Sequence, residues 1–356
     1  MFEPSCAESV WPPLHHGGRL REASARYGIA AGDWLDLSTG INPHGWPAPP
    51  IPPSVWSRLP EDDDELANAA REYYGAASAL PVAGSQAAIQ ALPFLRKPCR
   101  VAILSPGYAE HDRAWRRAGH LVHSVPGGQV DGAASTADVL VLIHPNNPTG
   151  ARFSATQMMA WHARLSARGG WLVVDEAFID PAPEQSMASH STREGVIVLR
   201  SLGKFFGLAG ARVGFVLAQD SLLQRLRAAL GPWCVAAPSR WIAIRALRDH
   251  AWQESARTRL HAASERLAVL LSRHALCPAG GCALFQWVAT PHADALHERL
   301  ARAGILTRRF ADPLSLRFGL PAVEGHWARL GTALASVSCG TGKADGHSTR
   351  QLDPEA

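Results

Sequence analysis

Lysine is nearly absent from this chain of 356 residues: Lys97, Lys204 and Lys343 are the whole complement, and arginine and histidine carry the rest of the positive charge. With no lysine-rich run and a net charge of only +4, the chain lacks the basic footprint of a nucleic-acid-binding surface. Cysteine is sparse as well. Cys6, Cys99, Cys234, Cys277, Cys282 and Cys339 are scattered without a Cys-x-x-Cys pair, which argues against a disulfide framework or a thiolate metal site and reads as reduced thiols in a cytoplasmic protein. No uninterrupted apolar run reaches the ~18–20 residues that a membrane span needs. Met1-Phe-Glu-Pro-Ser-Cys6 shows no basic region followed by an apolar stretch, so no secretory signal is visible.

What is present describes a globular protein. Hydrophobic residues make up 47% and charged residues 19%, ordinary values for a chain with a large core in one large or two modest domains. Residues 1–60 are rich in proline and tryptophan and weakly periodic. Pro47, Pro49, Pro50, Pro52 and Pro53 forbid regular helix or central strand there, so the segment reads as an extended arm across the body. From Asp64 the pattern turns helical, with Leu66, Ala69, Ala70 and Tyr73 on one stripe and Gly75 as the stop.

The middle of the chain alternates apolar runs of strand length with helical patterns. Val101–Leu104, Leu121–Val125, Val139–Ile143, Trp171–Val174, Val196–Leu199 and Val213–Leu217 are the strands, and 108–118 and 154–168 are helices. Such runs belong to a mostly parallel sheet covered on both faces, and ligands gather beyond the carboxyl ends of its strands. Those ends carry Ser105-Pro-Gly-Tyr-Ala-Glu110, His144-Pro-Asn-Asn-Pro-Thr-Gly150, Asp175-Glu-Ala-Phe178 and Arg200-Ser-Leu-Gly-Lys204. Farther on, 220–230 and 238–274 read as helices, Cys282–Val288 as a strand, 292–303 as a helix and Ser315–Phe318 as a short strand, together a smaller α+β unit. The tail from Gly340 is polar and aperiodic and reads as disordered.

A lysine at position 204, in a chain that elsewhere uses arginine, suggests an amine that must lose its proton and form a Schiff base, which guanidinium cannot do, although taken alone it reads first as a solvated lysine in a glycine-rich loop. Lys204 has Ser201 three residues before it and Arg212 eight after it. The entry Val82-Ala-Gly-Ser-Gln86 opens a helix whose free N–H groups suit a phosphate, although capping alone explains Ser85 equally well.

The segment Arg200–Gly214 resembles the lysine segment of fold-type I enzymes that use pyridoxal 5'-phosphate (PLP), the class I/II aminotransferases and their decarboxylase relatives. The resemblance covers about residues 14 to 335. It implies an α/β fold with a mostly parallel central sheet, helices on both faces and a smaller α+β C-terminal domain. The expected division is an arm over 1–60 that contributes to the active site, a large PLP-binding domain over 61–235, a small domain over 236–338 that takes in part of the arm, and a tail over 339–356. It implies PLP held by Lys204, with its phosphate on Ser201, Arg212, Gly84, Ser85 and Gln86. Tyr108 would cover one face of the ring, Asn147 would donate to the phenolic oxygen, and Asp175 would keep the pyridine nitrogen protonated. Glu176 is the alternative carboxylate, but alternation along a strand sends it to the other face. Arg317 would grip a substrate carboxylate as a bidentate fork, and His16, Gly17, Gly40, Asn147 and Arg308 would complete the substrate site. No metal is expected.

Within that family, three features are similar to the threonine-phosphate decarboxylases of cobalamin biosynthesis rather than to histidinol-phosphate aminotransferases. They are His16-Gly-Gly18 followed by Arg21-Glu-Ala23, the run Leu35-Asp-Leu-Ser-Thr-Gly-Ile-Asn-Pro-His-Gly45, and Phe178 where the aminotransferases usually have tyrosine. The resemblance implies a homodimer acting on a small phosphorylated amino acid, with neither nucleic acid nor membrane as partner. The implied reaction is decarboxylation of O-phospho-L-threonine to (R)-1-amino-2-propanol O-phosphate. Gly40 departs from the decarboxylases, which more often have asparagine there. Two other readings stay open: a histidinol-phosphate-type aminotransferase, and a non-catalytic partner protein of the cobalamin pathway.

Overall fold

The computed structural model describes residues 13–338, so the expectation for the tail lies outside the described residues. A seven-stranded sheet forms the larger body, in the order Leu80–Val82, Gly214–Leu217, Val196–Ser201, Trp171–Asp175, Val139–Ile143, Arg100–Ser105, Leu121–Pro126. Gly214–Leu217 runs antiparallel to both of its neighbours, and the other neighbouring pairs are parallel. All five residues of Val139–Ile143 and of Trp171–Asp175 are buried, as two-sided helix cover requires. The mostly parallel sheet expected from the apolar runs is therefore present.

Register decides where chemistry can gather. Ile143 pairs with Asp175, Asp175 with Leu199, and Ser201 with Gly214, which lies opposite Val82. The loops after Ser105, Ile143, Asp175 and Ser201, with the turn at Gly84, therefore open on one edge of the sheet. Arg100–Ser105 is flanked by Leu121–Pro126 on one side and Val139–Ile143 on the other. The crossovers thus reverse direction there, and the loops carrying Tyr108 and Asn147 leave this edge at the switch point, where open α/β sheets bind their ligands.

The smaller unit is a four-stranded antiparallel sheet in the order Arg308–Ala311, Leu314–Gly319, Phe285–Ala289, Gly280–Cys282. The single strand expected over Cys282–Val288 is a hairpin turning at Ala283 and Leu284, so two short strands replace one. The single helix expected over 238–274 is broken into Ala237–Arg248 and His250–Arg273. Asp249 makes the break: its side chain accepts from Trp252 N at 3.1 Å and caps the second helix.

The arm is more structured than its prolines suggest. Leu20–Tyr27 is helical, ending on Gly28 with φ 70°, and Leu35–Asp36 pairs in parallel with Ile305–Leu306 of the smaller unit. Pro53 opens a one-turn helix, Pro53–Trp56, because proline at the first helical position gives up an N–H that would have no partner there. The proline run excludes the interior of a helix, not its first residue.

Candidate active site

The lysine loop is fixed by its neighbours. Leu202, Phe205 and Phe206 are fully buried, and Phe206 stacks on Trp252 with ring centroids 5.5 Å apart. Leu202 N donates to Val213 O at 3.1 Å and Leu208 N to Leu202 O at 3.2 Å. Gly207 has φ 68°, and a Cβ there would lie 2.5 Å from Gly45 Cα, so glycine is required for the loop to press against the arm. Between those anchors Lys204 is left partly buried at the wall of a cavity.

That cavity, of about 140 Å³, is lined by Gly84, Ser85, Gln86, Tyr108, Asn147, Asp175, Ser201, Lys204 and Arg212. These are all nine of the residues expected to touch the cofactor, drawn from six separate stretches of the chain. Phe178, Ala177 and Ile143 complete much of the wall. The turn at one end suits a phosphate. Gly84 has φ 71°, and a Cβ there would come within 2.7 Å of Arg212 Nη2, so only glycine lets the guanidinium reach the start of the helix Ser85–Ala91. Arg212 has φ 52°, a left-handed backbone that a non-glycine residue adopts at a cost of about 1–3 kcal/mol and that clusters at functional sites.

Asp175 is 3% exposed. Its Oδ2 accepts from His111 Nε2 at 2.9 Å and its Oδ1 from Ala177 N at 3.1 Å, which fixes the carboxylate plane. His111 was not singled out from the sequence. It lies three residues after Tyr108 on the helix Ala109–Arg117, and that helical spacing was the available signal. Glu176 does turn to the opposite face, where Arg200 binds it at 2.8 Å and also pairs with Asp180.

The Lys204 amine is lowered to about 8 from its ordinary 10.5, first by burial and then by Arg317, while Asp175 opposes the shift. An amine in that range is available as the free base near neutral pH. Its Nζ lies 5.3 Å from the centre of the Phe178 ring. Burial pushes Tyr108 up to about 12, with Glu110 and Asp175 adding to the effect, and its hydroxyl donates to Gln86 Oε1 at 3.2 Å.

Arg317 is 6% exposed and joins this cavity to a second one. One guanidinium nitrogen donates to Asn147 Oδ1, the other to Ser38 O at 2.8 Å, and the buried Nε has no partner. Ser38 belongs to the second cavity, of about 470 Å³, whose wall includes His16, Gly17, Gly18, Arg19 and Arg308. The substrate residues expected from the arm and the smaller unit therefore meet beside the lysine cavity. Gly40 lines neither. Its Cα packs under Phe178, where a Cβ would approach Cε1 of that ring to 2.7 Å.

The residues present fit PLP. A phosphate cradle, an amine, a buried and oriented carboxylate and a side-chain amide surround one small cavity. Asn147 Oδ1 is taken by Arg317, which leaves its amide NH2 as the available donor.

Comparison with known proteins agrees with this geometry. Residues 34–326 match the model of aminotransferase class I and II. The chain is 58% identical to the threonine-phosphate decarboxylase of Pseudomonas aeruginosa over 321 residues, covering 90% of this chain and 97% of that protein. It is 43% identical to the threonine-phosphate decarboxylase of a Sinorhizobium species over 339 residues, 91% of this chain and 98% of that one. Among solved structures, histidinol-phosphate aminotransferase from Sinorhizobium meliloti in complex with PLP superposes with a TM-score of 0.80 at 20% identity, over 93% of this chain and 96% of that chain; at that identity the likeness concerns the fold. The chain belongs to the class I and II aminotransferase family.

Proposed function

We propose that this chain is a PLP-dependent carboxy-lyase that converts O-phospho-L-threonine to 1-amino-2-propanol O-phosphate, the R isomer, for cobalamin biosynthesis. The reading rests on similarity to a threonine-phosphate decarboxylase at 58% identity over 90% of this chain, supported by a cavity lined by Lys204, Asp175, Asn147 and the Gly84–Gln86 turn, with Arg317 bonded to Asn147 beside it. Bound PLP supplies an electron sink conjugated to the substrate's amino nitrogen, so the Cα bond held perpendicular to the ring is the one that breaks.

The chain's own residues do the rest. Gly84, Ser85, Gln86, Ser201 and Arg212 would hold the cofactor phosphate, with Tyr108 against the ring and the Asn147 amide as donor to its oxygen. Asp175, aimed by His111 and the Ala177 N–H, would keep the ring nitrogen protonated. Lys204 would hold the cofactor through its amine and would place a protonated amine beside the substrate Cα, where it can supply the proton that replaces CO2. Arg317 would take the substrate carboxylate on its unpartnered Nε and a neighbouring N–H, and so fix the direction of the Cα–carboxylate bond. The second cavity, with Arg19, Arg308, His16, Gly17 and the backbone N–H groups of the arm, receives the substrate phosphate. Gly40 gives Phe178 its place.

A cytoplasmic homodimer belongs to the same proposal. Among the described residues no helix is long and apolar enough to cross a membrane. Trp56 at 64% and Trp233 at 57% exposure offer apolar surface for a second copy, which sedimentation would test.

The deciding assay incubates PLP-loaded protein with O-phospho-L-threonine and follows CO2 and product mass. Stoichiometric CO2 with an aminopropanol phosphate, lost in Lys204→Ala, is expected. No CO2, with conversion of the cofactor to its amine form on adding histidinol phosphate, would instead show an aminotransferase.

A further inference from the structure

Glu110 has no part in the mechanism above, yet it joins the two cavities. It lies in the first turn of the helix Ala109–Arg117, and its side chain is 13% exposed. One carboxylate oxygen, Oε1, lies 2.8 Å from His16 Nε2 on the arm. The other, Oε2, accepts from Gln86 Nε2 at 3.0 Å and from Gln90 Nε2 at 3.2 Å. Gln86 in turn accepts from the Tyr108 hydroxyl, and the Tyr108 and His16 rings stand 5.7 Å apart. One oxygen therefore serves the arm and the other serves the wall of the lysine cavity.

The arm has little else to hold it at this point. Residues 13–19 contain no helix or strand, and their other ties to the body include Gly18 N to Ser38 Oγ at 2.7 Å and Arg308 to His15 O. A carboxylate can accept on both oxygens at once, whereas an amide offers one acceptor oxygen and an NH2 that cannot accept. A glutamine would give up the charge, and would keep both sides only by donating its NH2 to His16 Nε2 in the Nδ1–H tautomer while its oxygen accepts from Gln86 and Gln90.

We propose that Glu110 is a positioning residue that latches the N-terminal arm, through His16, to the wall of the cofactor cavity and so closes the substrate-phosphate pocket. The role in catalysis rests on the function proposed above; the latch itself does not.

The first tryptic site in the chain is Arg19–Leu20, since no lysine or arginine precedes it. Cleavage there reports arm release and needs neither cofactor nor substrate. Glu110→Ala should be cut at Arg19 on the order of tenfold faster than the parent, as expected for losing a hydrogen bond to a charged group, and Glu110→Gln, which loses the charge alone, should fall between the two. In the PLP-loaded enzyme Glu110→Ala should raise KM for O-phospho-L-threonine by about tenfold while kcat changes less than about twofold. Glu110→Asp should recover part of both effects.

His16→Ala should reproduce the faster cleavage at an unchanged Tm, and that cleavage carries the test if a Glu110 variant loses stability; its KM does not, because His16 also lines the substrate-phosphate pocket. The double variant His16→Ala, Glu110→Ala should be no worse than His16→Ala. Parent-like cleavage in both single variants, or effects that add in the double variant, overturns the latch. A parent enzyme inert toward O-phospho-L-threonine would overturn the function reading while the cleavage results stand.

Discussion

The depressed pKa of Lys204 makes a stability prediction that needs no turnover. Consider the cofactor-free protein and its Lys204→Met variant, a replacement of similar length without the charge. The amine falls from 10.5 to about 8 in the fold, so between those values the unfolded chain binds a proton that the folded chain has given up. Stability of the parent therefore rises with pH through that window. Below pH 8 the fold carries the full penalty of a buried ammonium, and above 10.5 it carries none. At ~1.4 kcal/mol per pH unit the penalty is about 3 kcal/mol. The variant lacks it at every pH. Its stability relative to the parent should be most favourable near pH 7 and should fall by about 3 kcal/mol by pH 10.5. Burial also raises Tyr73, Tyr74 and Tyr108, but these titrate in both proteins and cancel in the difference. Denaturant unfolding at half-unit pH steps gives the curve. A difference that stays flat from pH 7 to 10.5, or that grows, would refute the buried-amine argument.

Three other perturbations probe separate parts of the site. Replacing His111 with Phe should lower kcat and kcat/KM for O-phospho-L-threonine together by on the order of tenfold, since the lost hydrogen bond orients Asp175 rather than binding substrate; steady-state kinetics that show only a KM change would contradict this. Gly40→Ala should cost about 1–3 kcal/mol in denaturant unfolding by pushing the buried Phe178 ring, and adding Phe178→Leu should return part of it. Arg200→Met leaves Glu176 and Asp180 buried without their cation and should cost about 3–5 kcal/mol at pH 7. That loss should shrink in acid, where Glu176, already raised above its ordinary value by burial, takes up a proton, and unfolding at pH 5 against pH 7 checks it.

Much of the site was legible because chemistry at a parallel sheet collects past the strand ends. Once Val139–Ile143, Trp171–Val174 and Val196–Leu199 were recognised as buried strands, Asn147, Asp175 and Lys204 had to share an edge. Alternation also separated Asp175 from Glu176 correctly. Features set by single polar contacts or by tertiary packing were harder to read. Asp249 breaks an otherwise continuous helical pattern through one cap, and the hairpin at Ala283–Leu284 has no glycine or proline of its own to mark the turn. The helix Leu20–Tyr27 is short, and it forms against the helix Ala293–Arg302. His111 and Glu110 meet partners 64 and 94 residues away in sequence, distances at which a local helical spacing can place the side chain but cannot name its partner.

The stretch from Leu35 to Trp46 is a tether with two knots. At one end Leu37 N donates to Leu306 O, and Gly319 N to Leu37 O, which tie it to the smaller unit. At the other, Asn42 N donates to Lys204 O and Trp46 N to Phe206 O, which tie it to the catalytic loop. Only residues 38–41 lie between the knots, and Gly40 is among them. Any swing of the smaller unit must be absorbed by those four residues or pulled into the backbone that carries the lysine. The smaller unit and the loop that carries Lys204 are thus joined by one short length of chain.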